Sequence, residues 1–412
     1  MFFFYNILIR IYLAAIRITS VYNAKARLWI SGRKDILREA SIGIRKTPEK
    51  KKTVWFHCAS LGEFEQGRSL LEAFHAANPE YRIILTFFSP SGYEIRKNYT
   101  GADVVLYMPG DTRRMARKFI DILSPDIVFF IKYEYWYNHL AELKRRNIPV
   151  YMISAIFRPS QEFFKWYGSW FRKQLNNLTW FFVQDSDSEN LLKKIGINHV
   201  SVSGDTRFDR VSAVTSQAVS IPWMDQFCKD SFVIIAGSTW PADEEIILGL
   251  NRNNIGQCKF IIAPHEVDKN RIDELISRIG AGGLRYSGAN EKSLPSASIL
   301  VIDSIGMLAF LYRYVQVAYI GGGFGAGIHN ILEAAAFGIP VIFGPNHEKF
   351  REARDLIRLG GAFPVKNETE LKKIVDLMMS DPITREREGL VCLNYIGQHK
   401  GATQRILQHI MA

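Results

Sequence analysis

Cysteine is scarce in this chain: Cys58, Cys228, Cys258 and Cys392 are the only four in 412 residues. Their scatter excludes a disulfide framework and a cysteine-based zinc site. It fits a reducing compartment, so the body of the protein is expected in the cytoplasm. Acidic residues are also few, with 41 Asp and Glu against 52 Lys and Arg and a net charge of +11. That deficit calls for anionic partners, which include a membrane surface, phosphorylated substrates and nucleic acid. No internal repeat or low-complexity tract interrupts the chain. A hydrophobic fraction of 47% with 23% charged residues excludes wholesale disorder, and the length allows two domains of ordinary size.

The chain also lacks a long uninterrupted apolar run. Phe2 to Ile18 comes nearest, but Asn6, Arg10 and Arg17 break it. A spanning helix needs roughly 20 apolar residues and tolerates mid-span arginine poorly. No A-x-A cleavage site follows, which argues against a signal peptide. At helical spacing the three polar residues fall on one narrow stripe. The stretch therefore reads as an interfacial helix with its arginines facing headgroup phosphates, backed by Lys25, Arg27, Arg33, Lys34 and Arg38. The alternative is a helix packed on the protein's own surface.

What is abundant is alternation. From residue 53, short apolar runs (TVWFHC, YRIILTFF, DVVLYM, DIVFFI, PVYMIS, WFFVQ) alternate with helical ones. Runs apolar on both faces are those of a parallel sheet covered by helices. Residues 204–222, GDTRFDRVSAVTSQAVSIP, read as a polar linker. The rhythm then restarts with SFVIIAG, CKFIIAP, SILVID, VAYIGG and IPVIFG. The expected fold is α/β, with two doubly wound Rossmann-like domains facing each other across a cleft. Residues 1–22 form the membrane-associated helix, 23–210 the first domain and 211–412 the second, with the last helix a candidate to pack back on the first.

Ligands of open parallel sheets collect at the carboxyl ends of the strands. In the second half the run YIGGGFGAGIHNILEAAAFGIPVIFGP, residues 319–345, places a strand before glycines, with a helix opening near His329 and Asn330. Glycines admit a ligand close to the backbone, and the N–H groups of a helix start attract phosphate. Glu333 lies where its carboxylate would accept from ribose hydroxyls. The same loop also reads as a structural tight turn. It lacks the dinucleotide spacing and the later acidic residue, which excludes a nicotinamide cofactor. Further strand ends offer Ser238 and Thr239, His265, and Asp303, Ser304 and Gly306. Each could equally be a helix cap, but four polar ends in one domain point to a nucleotide pocket.

In the first half the polar ends are Glu63, then Ser89, Ser91 and Gly92, then Lys132, Glu134 and Asn138. Ser89-Pro-Ser-Gly92 either binds an anion or caps its helix. Glu63 stands in the turn Ser60–Glu63 ahead of a helix read over 65–74, where the dipole favours negative charge. Its competing reading is a helix-start carboxylate with no other task. The Asp185-x-Asp187 pattern resembles a metal-binding pair, but Ser186 and Glu189 make a capping box there, and no metal is expected. Phe163, Tyr167, Trp170 and Phe171 recur at helical spacing among Lys165, Arg172 and Lys173. They read as core packing or as a lipid-facing wall; no nucleic-acid module accompanies them, and no nucleic-acid partner is expected.

The segments FHCASLGEFEQG, TFFSPSGYE, YEYWYN, GDTRFD, GSTW and GGGFGAGIHNILEAAAFGIPVIFGP, in this order, resemble the 3-deoxy-D-manno-octulosonic acid (Kdo) transferases of lipopolysaccharide assembly. The resemblance covers nearly the whole chain and is most specific in Ser-x-Gly-Glu and His-Asn-x-x-Glu. It implies a glycosyltransferase-B fold, CMP-Kdo as donor substrate with no other cofactor, and a lipid A precursor as acceptor. It also implies attachment to an anionic surface, the cytoplasmic face of the bacterial inner membrane. Carried over, Glu63 matches the catalytic base. The CMP contacts fall on Ala263, Pro264 and His265, on Ile305, Gly306 and Met307, and on Gly323, Asn330, Ile331, Leu332 and Glu333. Acceptor contacts fall on Ser89, Ser91, Gly92, Lys132 and Glu134. The chain departs from the family pattern at Ala263-Pro264-His265, where Pro-Arg-His is usual, at Ile305-Gly306-Met307, where Met-Gly-Glu is frequent, and at Lys132, where glutamate is common. The rival readings are a UDP-sugar transferase or epimerase of the same fold, and a non-catalytic membrane-bound nucleotide-binding protein.

Overall fold

The apolar runs form two parallel sheets. A computed structural model of the chain describes residues 1–48, 52–217, 219–253 and 258–411. It divides into two compact units, Met1–Arg210 with Lys400–Ala412, and Val211–His399.

The first unit carries β1 (Lys52–Cys58), β2 (Tyr81–Phe87), β3 (Val104–Tyr107), β4 (Ile127–Ile131), β5 (Val150–Ala155), β6 (Trp180–Val183) and β7 (Val200–Val202). Their order is β3-β2-β1-β4-β5-β6-β7, with parallel pairing. Successive side chains point to opposite faces, so Trp55 and Phe130 enter one core cluster while Phe56 and Phe129 enter another. Two covered faces explain why these strands show no polar alternation.

Seven helices begin this unit: α1 (Phe2–Thr19), α2 (Ala24–Ser31), α3 (Ile36–Lys46), α4 (Leu61–Ala77), α5 (Pro90–Arg96), α6 (Arg113–Leu123) and α7 (Tyr137–Arg145). α4 starts at Leu61, so Glu63 lies inside its first turn and not in a turn before it. The polar stretch 204–222 is largely a helix as well, Thr206–Thr215, because Phe208, Val211 and Val214 recur every third residue and are buried; residue 218 lies outside the described residues. Asp209 on that helix accepts from the backbone N–H groups of Gly401 and Thr403, at 2.5 and 2.7 Å. It thereby caps the last helix, Ala402–Met411, which belongs to the first unit.

The second unit carries β8 (Phe232–Thr239), β9 (Cys258–Pro264), β10 (Gly283–Arg285), β11 (Ile299–Val301), β12 (Val317–Ile320), β13 (Val341–Phe343) and β14 (Ala362–Pro364). Their order is β10-β11-β9-β8-β12-β13-β14, again with parallel pairing.

α1 lies on the first unit through Phe2, Tyr5 and Asn6. Asn6 Oδ1 accepts from Asn138 Nδ2 at 3.2 Å, the Tyr5 hydroxyl donates to Asp111, and Phe2 meets the Trp170 ring edge-on at 5.3 Å. Asn6 thus faces the protein, while Arg10 and Arg17 of the same stripe are exposed. The outward face is apolar: Phe3, Phe4, Leu8, Ile11 and Ile18 are each more than half exposed. α1 is the one described helix long and apolar enough to cross a membrane. The aromatic run divides too, with Phe163 in the core and Trp166 (92% exposed) and Tyr167 facing out.

Candidate active site

Strand order reverses between β1 and β4 in the first unit and between β8 and β12 in the second. Chain leaves such a point in both directions, which opens a crevice beyond the strand ends.

Beyond β1 the backbone turns through Ser60, the N-cap of α4. Glu63, half-buried in the first turn, takes the Ser60 hydroxyl as donor. The Ser60 side chain makes no bond to the helix N–H groups, so Ser60-x-x-Glu63 is a side-chain pair and not a capping box. α4 is fixed from behind: Gln66 donates to buried Asp205 at 2.8 Å, and Thr206 donates to the Gln66 carbonyl. Burial alone would raise the Asp205 carboxyl, but Arg207, 2.7 Å away, and its hydrogen bonds hold it below the ordinary carboxylate value.

Beyond β4, Lys132 holds the left-handed backbone region with φ 73°. Such a conformation in a lysine costs energy, and strain of this kind concentrates at functional sites. Two residues on, Glu134 accepts from Trp136 Nε1 and lies 3.2 Å from His57 Nε2. The other ring nitrogen of His57 is 2.8 Å from the Thr86 hydroxyl, which also takes the Trp55 indole N–H at 2.8 Å. Both carboxylates bear on the Cys58 thiol, which burial raises well above its ordinary value and Glu63 and Glu134 raise further. Tyr133 is raised by burial, against the charges of Arg158 and Arg207, which places two cations at the same edge.

Of the other candidates here, Ser89 caps the seven-residue α5, accepting from Ser91 N at 3.3 Å, with the two hydroxyls 2.9 Å apart. Ser89 N in turn donates to the Ala59 carbonyl at 2.6 Å, which sets this loop beside the start of α4. Gly92 is buried, and a Cβ there would lie 2.3 Å from the Phe87 ring. Its glycine is explained by packing. At Asp185-x-Asp187 the cap is Asp185, accepting from Ser188 N at 2.8 Å, in place of the Ser186 box. Among the described residues no three His, Cys, Asp or Glu side chains converge on a metal-sized site.

In the second unit Ser238, the last residue but one of β8, has a φ of 55° that is again left-handed, and Trp240 follows the strand. Buried Asp243 joins the two sides of the crevice, accepting from Trp240 N and Gly322 N, each at 2.9 Å, and from the Tyr319 hydroxyl at 2.8 Å. Three rings stand over this junction: Trp240 on His265 at 4.8 Å and His265 on His329 at 4.4 Å. Trp240 Nε1 donates to His329 Nε2 at 3.1 Å, which requires that nitrogen to be unprotonated. Burial first, and the nearby His265 second, lower the His329 pKa.

The glycine loop opens no long helix; the helical residues are Leu332–Ala335 alone. Asn330 caps that turn, its Oδ1 accepting from Leu332 N at 3.2 Å and its Nδ2 donating to Glu333 at 3.1 Å. Ile331 and Leu332 are fully buried, so only their backbone can meet a ligand. A Cβ at Gly323 would lie 2.6 Å from the Gly344 backbone, and close approach of the two loops demands glycine. Ala263 and Pro264 are buried at the end of β9, while His265 is exposed. Ile305 is 76% exposed on a turn that Gly306 makes with φ 94°, and Ser304 touches Met307 sulfur at 2.8 Å.

Sequence reasoning passed over Trp240, Asp243, His57 and Lys349. The Lys349 ammonium donates to the Ala326 carbonyl, and its chain crosses Gly327 so closely that a Cβ there would lie 2.7 Å from Cε. A cation thus stands on the glycine-rich loop of a chain that lacks the family arginine at Pro264. The signal was available for Trp240, in GSTW, and for His57, a polar residue inside an apolar strand. Asp243 and Lys349 carried none.

Residues 37–210 match the family model described as 3-deoxy-D-manno-octulosonic-acid transferase. A Kdo transferase of Rickettsia bellii is 25% identical over 365 residues, covering 86% of each chain. Among solved structures, the Neisseria meningitidis UDP-GlcNAc 2-epimerase is similar with TM-score 0.61 and 17% identity, over 87% of this chain and 99% of that one. A glycosyltransferase from Rickettsia africae follows with TM-score 0.57 and 14% identity, over 87% and 98%. These structural likenesses speak to fold alone, which is the glycosyltransferase-B class. Over residues 37–210 the chain thus matches the Kdo transferase family model, and over most of its length it is similar to Kdo transferases.

Proposed function

We propose that this protein transfers Kdo, with inversion, from CMP-Kdo to a lipid A precursor at the cytoplasmic face of the bacterial inner membrane, with Glu63 as general base. The observation that carries the reading is the state of Glu63. It stands at the crevice of the first unit, half-buried, and among the described residues the Ser60 hydroxyl is its one side-chain hydrogen-bond partner. An oxygen of that carboxylate remains open to a substrate hydroxyl.

In the reaction, the acceptor hydroxyl oxygen bonds to the anomeric carbon of Kdo and its proton passes to Glu63. The bond from that carbon to the phosphate oxygen breaks, and its electron pair leaves with CMP. Backbone N–H groups around Asn330, the Lys349 ammonium and the exposed His265 favour the leaving phosphate. Glu333 holds the ribose. Arg158 and Arg207 suit an anionic acceptor or the Kdo carboxylate, and Lys132 adds a third cation. The apolar outer face of α1, with Trp166 and Tyr167 exposed in the same unit, supports attachment to the membrane.

Incubating the full chain with CMP-Kdo and a lipid A precursor tests this reading by mass spectrometry of the lipid. The expected result is a product heavier by Kdo and CMP release that requires both substrates. CMP release without acceptor, or no mass change, would refute it. The fold is shared with an enzyme of UDP-GlcNAc, so CMP is titrated against UDP. Tighter binding of UDP would favour a UDP-sugar enzyme.

A further inference from the structure

Beneath α1 the first unit holds a cavity of about 550 Å³ with two unlike walls. Leu13, Ala14, Ile30, Ile36 and Met115 make an apolar floor, and Arg10, Arg17, Arg33 and Lys34 supply four positive charges; no acidic residue lines it. Arg10, Arg17 and Lys34 have no carboxylate partner among the described residues.

Arg33 makes the case stronger. Its guanidinium donates to the carbonyls of Met108, Trp29 and Phe88, and it lies over the Trp29 ring at 3.8 Å and the Tyr107 ring at 4.5 Å. No carboxylate among the described residues answers it, and burial brings its pKa down to about 9. A buried cation without a counter-ion is costly. A second polar group is also unsatisfied: Trp29 is 7% exposed, lines the cavity, and its Nε1 has no acceptor among the described residues. An anion at this place would offset both costs, while the apolar floor requires that the anion carry hydrocarbon.

We infer that this cavity binds one anionic membrane lipid, its phosphate among Arg10, Arg17, Arg33 and Lys34 and an acyl chain along Leu13, Ala14 and Met115. Glu63, Lys132 and Glu134 do not line the cavity, and the inference does not depend on which sugar is transferred. Its place beside the apolar outer face of α1 gives a lipid a short path in. A bound lipid would tie α1 to α2 and to the loop at Pro109 and Gly110, whose backbone already meets Leu13.

Native mass spectrometry of the detergent-solubilised full chain tests this with phosphatidylglycerol, phosphatidylcholine and inorganic phosphate as separate probes. One phosphatidylglycerol is expected per chain, retained at least about tenfold more tightly than phosphatidylcholine, since each basic residue adds to the attraction. Arg10→Ala with Arg17→Ala should lose that preference. Ala14→Trp fills the cavity from its exposed rim and leaves every charge in place, so it should abolish retention while vesicle flotation persists. Equal retention of the two lipids, or an Ala14→Trp protein that binds as the parent does, would overturn the site. Displacement of the lipid by millimolar-range phosphate alone would overturn the lipid assignment.

Discussion

His57 Nε2 and the Glu134 carboxylate lie 3.2 Å apart at the end of the two central strands, and Trp136 holds the same carboxylate oxygen. Glu134 is 9% exposed and His57 fully buried. Glu63 differs: it is half-buried, and among the described residues the Ser60 hydroxyl is its one side-chain donor. The two carboxylates at this crevice therefore differ in how firmly the protein holds them.

Glu63→Gln should keep the fold and lose turnover by about 10²–10⁴, the usual worth of a general base. The helix-dipole contribution at that position is only about 0.3–1 kcal/mol, so the thermal midpoint should hardly move. CMP affinity should stay at the parent value. A variant that transfers Kdo within tenfold of the parent rate would end the general-base role.

Glu134→Leu should do the reverse. It leaves the His57 and Trp136 donors without an acceptor, at about 1–3 kcal/mol for each. The expected signature is a lower unfolding midpoint by calorimetry, present with or without substrate. An unchanged midpoint would show that these bonds do not hold the strand ends together.

The parts of this fold that the sequence revealed are those in which one strand carries its own signal. β1, β2, β4, β8 and β9 are five to eight residues long and apolar on both faces. β7, β10 and β14 have three residues each and lie at sheet edges, half-exposed, so no apolar run marked them. The helix through residues 206–215 hid behind polar residues because its buried face is only Phe208, Val211 and Val214. Helical spacing identified the Asn6, Arg10 and Arg17 stripe, yet periodicity does not tell which of the three meets protein; the bond to Asn138, 132 residues away, seats Asn6 there while Arg10 and Arg17 stay exposed. Asp243 was invisible for the same reason, since its partners Tyr319 and Gly322 lie more than 70 residues along the chain.

The orientation of α1 sets the test of membrane attachment. Phe4→Ser, Leu8→Ser and Ile11→Ser together remove apolar area from the outward face and leave Tyr5 and Asn6 seated on the protein. Burying such a side chain is worth roughly 1.5–3 kcal/mol, so vesicle affinity should fall by at least about a hundredfold at unchanged stability. A triple variant that floats as the parent does would place the main contact elsewhere, with Trp166 and Tyr167 next to be substituted.

Glu333 is the side chain with which the second unit is proposed to grip ribose. Glu333→Ala should weaken CMP binding by about 1.5–3 kcal/mol, the range for hydrogen bonds to a charged group. Calorimetric titration measures this directly. Equal affinity in parent and variant would move the nucleotide away from the Asn330 turn.

The ring stack of the second unit carries a pH dependence whose sign can be derived. The folded protein holds His329 below its ordinary value of 6.5, through burial first and the neighbouring His265 second, while Asp243 opposes the shift. Between the folded and unfolded values the unfolded chain binds more protons, so stability rises with pH there. Acidification from about pH 7.5 should therefore cost stability as the pH passes below 6.5 toward the folded value, because protonated Nε2 can no longer accept from Trp240. His199 in the first unit is lowered as well, chiefly by burial, and contributes a slope of the same sign. The informative quantity is thus the difference between parent and His329→Gln, followed by denaturant melts at a series of pH values. The glutamine variant should show a shallower decline on the acid side. Parallel curves for the two proteins would assign the whole slope to other groups and leave the stack without a role in it.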